Sequence, residues 1–227
     1  MKTATAVLAA AAITLGGAGP AAADDAQLWT AVFANGPVKD ESRLLLWFDG
    51  HARFRDDVGR LGVSIIRPGV GWRLDDKGTA IWAGYARVVS RSAAAPDVEE
   101  NRFWQQATYQ LGAPGGVSLS GRTRLEQRLI EGADDTGIRV RQFIRAEKPI
   151  SDSKFAALGW NELFIAANDT DWGAASGYDQ NRLFVGASWR PAGAVRLEAG
   201  YLMNHIRRQN APDPVNHALA LSLAFSL

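Results

Sequence analysis

From His217 to Leu227 the chain alternates without a break. His217, Leu219, Leu221, Leu223, Phe225 and Leu227 share one face, and Ala218, Ala220, Ser222, Ala224 and Ser226 share the other. A period of two is strand geometry. An apolar row of this length on one face only is the pattern of a tilted strand that crosses a hydrocarbon layer as part of a closed sheet.

Upstream segments repeat the pattern with charge on the second face. In 117–130, Val117, Leu119, Gly121, Thr123, Leu125, Gln127 and Leu129 lie opposite Ser118, Ser120, Arg122, Arg124, Glu126 and Arg128. In 138–148, Ile138, Val140, Ile144 and Ala146 lie opposite Arg139, Arg141, Arg145 and Glu147. In 43–54, Leu44, Leu46, Phe48, Ala52 and Phe54 lie opposite Arg43, Asp49, His51 and Arg53. An arginine turned to lipid at mid-bilayer costs about 2–4 kcal/mol, so in a membrane barrel these charges face the lumen.

Hydrophobic residues make up 47% of the chain, yet beyond the N-terminal segment no apolar run is long enough for a membrane helix. The apolar residues are spent on alternation. Cysteine is absent, which excludes disulfides, thiolate metal sites and cysteine nucleophiles. A net charge of +1, with no basic tail, gives no argument for nucleic acid.

The first residues read as an export signal: Lys2, the apolar stretch Val7 to Leu15, and the small-residue site Ala21-Ala22-Ala23 before Asp24-Asp25. Cleavage is expected near Ala23. The predicted organisation is a signal peptide over 1–23 and one all-β domain over 24–227, a transmembrane antiparallel up-and-down β-barrel. The predicted location is the outer membrane of a Gram-negative bacterium. The expected partners are outer-membrane lipids and the barrel-insertion machinery, which reads the last strand; Leu227 stands at the end where an aromatic residue is usual, with Phe225 two places earlier. Outward rows read alike against acyl chains or a second barrel, so they set no oligomeric state.

Strands are predicted near 43–54, 60–74, 79–90, 101–111, 117–130, 138–148, 155–168, 180–190, 195–206 and 216–227. Tight connections at Asp75–Gly78, Gly112–Gly116 and Arg190–Ala194 alternate with longer polar ones at 91–100, 169–179 and 207–215, matching periplasmic turns and outer loops. The count is about ten, with both ends of the barrel on the periplasmic side, because single-chain bacterial barrels have even counts. Gln27 to Ala34 also alternates, with Trp29, Ala31 and Phe33 on one face. Parity makes it a short extra strand within the segment 24–42, unless a split elsewhere brings the count to about twelve. Trp72, Trp82, Tyr109 and Trp189 have the outward parity close to tight turns, which predicts an aromatic girdle completed by Phe225.

The order and spacing of several short motifs resemble an outer-membrane β-barrel family catalogued as domain of unknown function 2490. They are Leu28-Trp29-Thr30, the Arg122–Arg128 and Arg139–Arg145 segments, Asn161-Glu162-Leu163-Phe164, Gln180-Asn181-Arg182, Gly200-Tyr201-Leu202 and Asn216-His217. The resemblance covers almost the whole chain after the signal. It implies the barrel and the outer membrane, and carries no substrate or reaction.

The candidate site is the lumen. Arg122, Arg124, Arg128, Arg139, Arg141, Arg145, Arg182 and Arg196 are expected to face inward with Glu126, Glu147, Glu162 and Glu198. A guanidinium is a permanent planar fork of donors. Such a ladder either clamps the glutamates in a filled barrel, compatible with a structural role or passage of small solutes, or lines a path for acidic solutes. An enzyme is the third possibility, a lipid esterase on the barrel wall, for which only His51, His205 and His217 with Asp213 are available and no serine motif stands out. No catalytic residue is assigned on that pattern, and no metal site or cofactor: the histidines lack ligand spacing, Asp169, Asp171 and Asp179 lack the spacing of a calcium loop, and no glycine-rich loop precedes a helix.

Overall fold

A computed structural model describes residues 26–209 and 211–227. The expected signal segment and its cleavage site lie outside the described residues. The chain forms a closed barrel of eleven strands. They are β1 (Ala26–Pro37), β2 (Leu44–Arg55), β3 (Arg60–Arg73), β4 (Ala80–Ser90), β5 (Val98–Gly112), β6 (Ser118–Ile130), β7 (Thr136–Pro149), β8 (Phe155–Ala166), β9 (Gly177–Ala192), β10 (Val195–Ile206) and β11 (Val215–Ser226). Each of β2 to β11 falls within a few residues of its predicted position, and sequential neighbours pair antiparallel all the way round.

The segment expected as a short extra strand is a full member of the wall. β1 pairs antiparallel with β2 and parallel with β11, where Ala26 faces His217 and Asn35 faces Ser226. The parallel seam is what lets an odd number of strands close, and it corrects the expected count. It also corrects the placement of the ends: β1 begins at the long-loop end and β11 finishes at the tight-turn end. The seam continues past the last strand, where Leu227 N–H donates to the Asn35 carbonyl at 3.1 Å.

The wall is sorted in the sense the alternation demands. Apolar side chains cover the outside, with Ile66 and Val185 60% and 61% exposed, whereas Arg124, Glu126 and Asp49 inside are 0% exposed. Two apolar clusters share the interior with the charges. One joins Leu45, Val63, Ile65, Trp82, Val88 and Trp104 on β2 to β5; the other joins Leu158, Phe184, Leu202 and Ala218 on β8 to β11, with Trp29 and Trp160 against it.

Trp82 thus points inward and is 9% exposed, not outward as its place near a turn suggested. The reason is steric. Gly71 stands beside it in register, and a Cβ there would come within 2.3 Å of the Trp82 ring. Gly69 and Gly84 make the same allowance for Trp104. Around the tight-turn end the outward aromatics are Trp72, Tyr109, Trp189 and Phe225, together with Phe155, which stacks on Trp189 at 6.0 Å between centroids.

Candidate functional site

The inward rows of β5 to β9 meet on three carboxylates, Glu126 and Glu162 at mid-height and Glu100 toward the long loops. Glu126 accepts from Arg139 and Arg141, each at 2.6 Å, and lies 3.8 Å from Arg124. Glu162 takes Arg122 at 2.6 Å and Arg141 at 2.7 Å, with Arg182 at 3.9 Å. Glu100 takes Arg102 and Arg128, both at 2.6 Å. Arg141 therefore bridges two glutamates on different strands. A guanidinium does this easily because its donors leave in two directions within one plane.

Nearer the tight-turn end a second cluster forms. Arg145 donates to Glu147 at 2.6 Å and to Glu198 at 2.8 Å; Arg190 completes Glu147 and Arg196 completes Glu198. The residues expected in the lumen thus all face it, and they divide between the two clusters. Further partners, Arg190 included, were not among them. Arg67 pairs with Asp49 at 2.9 Å, Arg102 and Glu100 flank Arg128, and Asp179 reaches in from the start of β9 to Arg139 at 3.0 Å.

Aromatic faces hold the guanidinium groups that carboxylates hold less well. Arg124 lies 4.7 Å from the Trp104 ring and 5.8 Å from Trp47, and it donates to Gln106 at 2.5 and 2.8 Å. Arg53 lies 4.0 Å over Trp29, with no carboxylate in ion-pair range among the described residues. Arg182 packs against Phe164 at 4.5 Å. Cation–π contacts of desolvated groups are worth about 2 kcal/mol, enough to help retain a cation that lacks an anion. A water-filled bore would leave the central residues accessible. Arg124, Glu126, Trp104 and Phe164 at 0% exposure mean that side chains fill the barrel at mid-height.

The long-loop mouth is covered from above. Trp172, between β8 and β9, lies over Arg128, and its indole N–H donates to the Asp135 carbonyl at 3.0 Å. The loop acids are tied down separately. Asp169 accepts from Ser176 N–H at 2.7 Å, which holds its carboxyl below the usual range. Asp171 accepts from the backbone of Asp134 and Asp135, and Asp179 is drawn into the lumen. The three do not converge on one point.

The histidines are engaged by tyrosines. Tyr178 is hydrogen-bonded to His205 Nδ1 at 2.7 Å, Tyr201 to His217 Nδ1, and Asp213 lies 3.7 Å from His205 Nε2. His51 sits far from both, inside, at 2.8 Å from Asp49.

Fold and site together define a closed β-barrel with an apolar exterior and a charged, self-paired interior. The chain belongs to the family DUF2490, described as "Protein of unknown function", which matches residues 26–216. It is also similar to an uncharacterized protein of Methylorubrum extorquens, 34% identical over 201 residues that cover 88% of this chain and 86% of the relative. No solved structure matches.

Proposed function

We propose that this protein is an outer-membrane β-barrel, exported by its N-terminal signal, whose lumen is closed at mid-height by its own Arg/Glu network. Its role is then structural, or limited to solutes small enough to enter between side chains. The observation that carries this reading is the inversion of the wall: Ile66 and Val185 stand exposed outside while Glu126 and Arg124 are fully buried inside. In water that arrangement leaves a broad apolar surface unprotected; in a bilayer it is the stable one. The outward aromatics near the tight turns support the same reading, as rings favour the interface. The reading assigns the rim histidines no catalytic role: the partners described for His205 and His217 are tyrosine phenols and Asp213, with no serine among them.

The test is conductance of the refolded mature chain in a planar bilayer under a potassium chloride gradient, with folding established beforehand by heat-modifiable migration. A silent bilayer is expected. A second reading, a narrow anion-preferring channel, draws on the surplus of arginine over carboxylate and on Arg53 in particular. Stable current steps with an anion-shifted reversal potential would replace the first reading with the second.

A further inference from the structure

The tight-turn mouth of the barrel holds a cavity of about 380 Å³, within the size range of small-ligand sites. Its inward-facing walls are Trp47, Trp82 and Phe143 with Asn35, and two cations, Arg73 and Arg122, stand among them. None of the residues that line it is acidic. The indole N–H groups are already used: Trp82 donates to Thr108 at 3.0 Å and Trp47 to Asp49 at 2.6 Å. The tryptophans therefore offer the cavity apolar ring surface rather than donors. The donors come from the arginines. Arg122 spends one Nη on Glu162 at 2.6 Å, while its buried Nε hydrogen-bonds to nothing in the protein. Arg73 has no carboxylate in ion-pair range among the described residues. Behind the rings, Arg124 packed against Trp47 and Trp104 forms a back wall.

We propose that this vestibule binds a small monoanion with a flat apolar body, of the aromatic carboxylate class. The rings take the body, as burial favours. The carboxylate answers Arg73 and the Arg122 guanidinium, the two cations of the lining, with charge-assisted hydrogen bonds. A neutral hydrocarbon leaves both cations unanswered. A sugar offers the two arginines no counter-charge, and a cation meets two positive charges. The proposal rests on the closed lumen, since the network is the back wall, but it is read out by binding and not by current, so the two fail separately.

The test uses the refolded mature protein in detergent, with 2-naphthoate as probe and 2-naphthalenemethanol as its uncharged counterpart, followed by calorimetry and tryptophan quenching against empty micelles. One naphthoate per barrel is expected, bound at least about tenfold more tightly than the alcohol, the scale of a hydrogen bond to a charged group. Arg73→Gln, at the rim and outside the ion-pair clusters, should weaken naphthoate by about tenfold. Ser120→Phe, which places a ring in the cavity, should abolish binding. Equal affinity for the alcohol, unchanged affinity in both variants, or no saturable binding by protein that migrates as folded would overturn the proposal.

Discussion

Trp172 lies across the mouth of the barrel with its ring centroid 4.7 Å from Arg128 Cζ, so a loop residue and a wall residue from β6 together cover the Glu100 ion pairs. The ring fits because Gly137 is beneath it: a Cβ there would stand 2.5 Å from the Trp172 ring. Gly137→Val should therefore lower stability by about 1–3 kcal/mol, the usual range for overpacking. In a Trp172→Ala background the same substitution should cost much less. Urea titrations of the four proteins of this cycle would measure the coupling, and strict additivity would count against the contact.

Glu126 is fully buried and answers Arg139 and Arg141 at once. Removing one partner of such a pair leaves a desolvated charge, at a cost of about 3–5 kcal/mol. Glu126→Gln should show that loss as a lower urea midpoint for the folded band. An unchanged midpoint would mean that the network contributes nothing to holding the barrel.

The parallel seam makes a geometric prediction that the absence of native cysteine keeps clean. Val32 and Leu223 are register partners on the outward face of β1 and β11, while Ser222 faces inward beside Leu223. A chain carrying Val32→Cys and Leu223→Cys should crosslink on oxidation; one carrying Val32→Cys and Ser222→Cys should not. Mass spectrometry of digests distinguishes them, and the reverse result would shift the register by one residue.

Gly36 closes the same seam at the other end. A Cβ there would meet the Leu227 carbonyl oxygen at 2.5 Å and its nitrogen at 2.9 Å, both backbone atoms with little freedom to move. Gly36→Val should cost about 1–3 kcal/mol by overpacking. Gly159→Ala is the control, since its Cβ would find an ordinary contact at 3.6 Å. Equal folding yields for the two would argue that β1 leaves the wall readily.

Alternation made ten of the strands legible because the pattern is dictated twice, by apolar residues outside and charges inside. Trp29, Ala31 and Phe33 carried the same signal in β1, and it was outweighed by a parity rule that assumes antiparallel closure. Trp82 went astray for a related reason: nearness to a turn suggested an interface ring, whereas the glycines at 69 and 71 mark the inner wall where large rings lie flat. The arginine ladder was visible as a face, but its pairings were not, because they depend on the stagger between strands. Arg67 stands alone in a row with Val63 and Ile65, and Glu100 fell in a predicted loop, so neither announced its partner.

The odd strand count has a consequence for how this chain acquires its shape. Every pairing but one joins neighbours through a local hairpin, which can zip as a succession of short closures. The β1–β11 pairing links residues near opposite ends of the chain, and it cannot be made by a turn. Closing so long a loop carries an entropy penalty that local contacts repay only after they have formed. Until the ring shuts, β1 and β11 both expose unpaired edges, the state most open to capture by a foreign strand. Chain entropy therefore favours closing the hairpins before this seam.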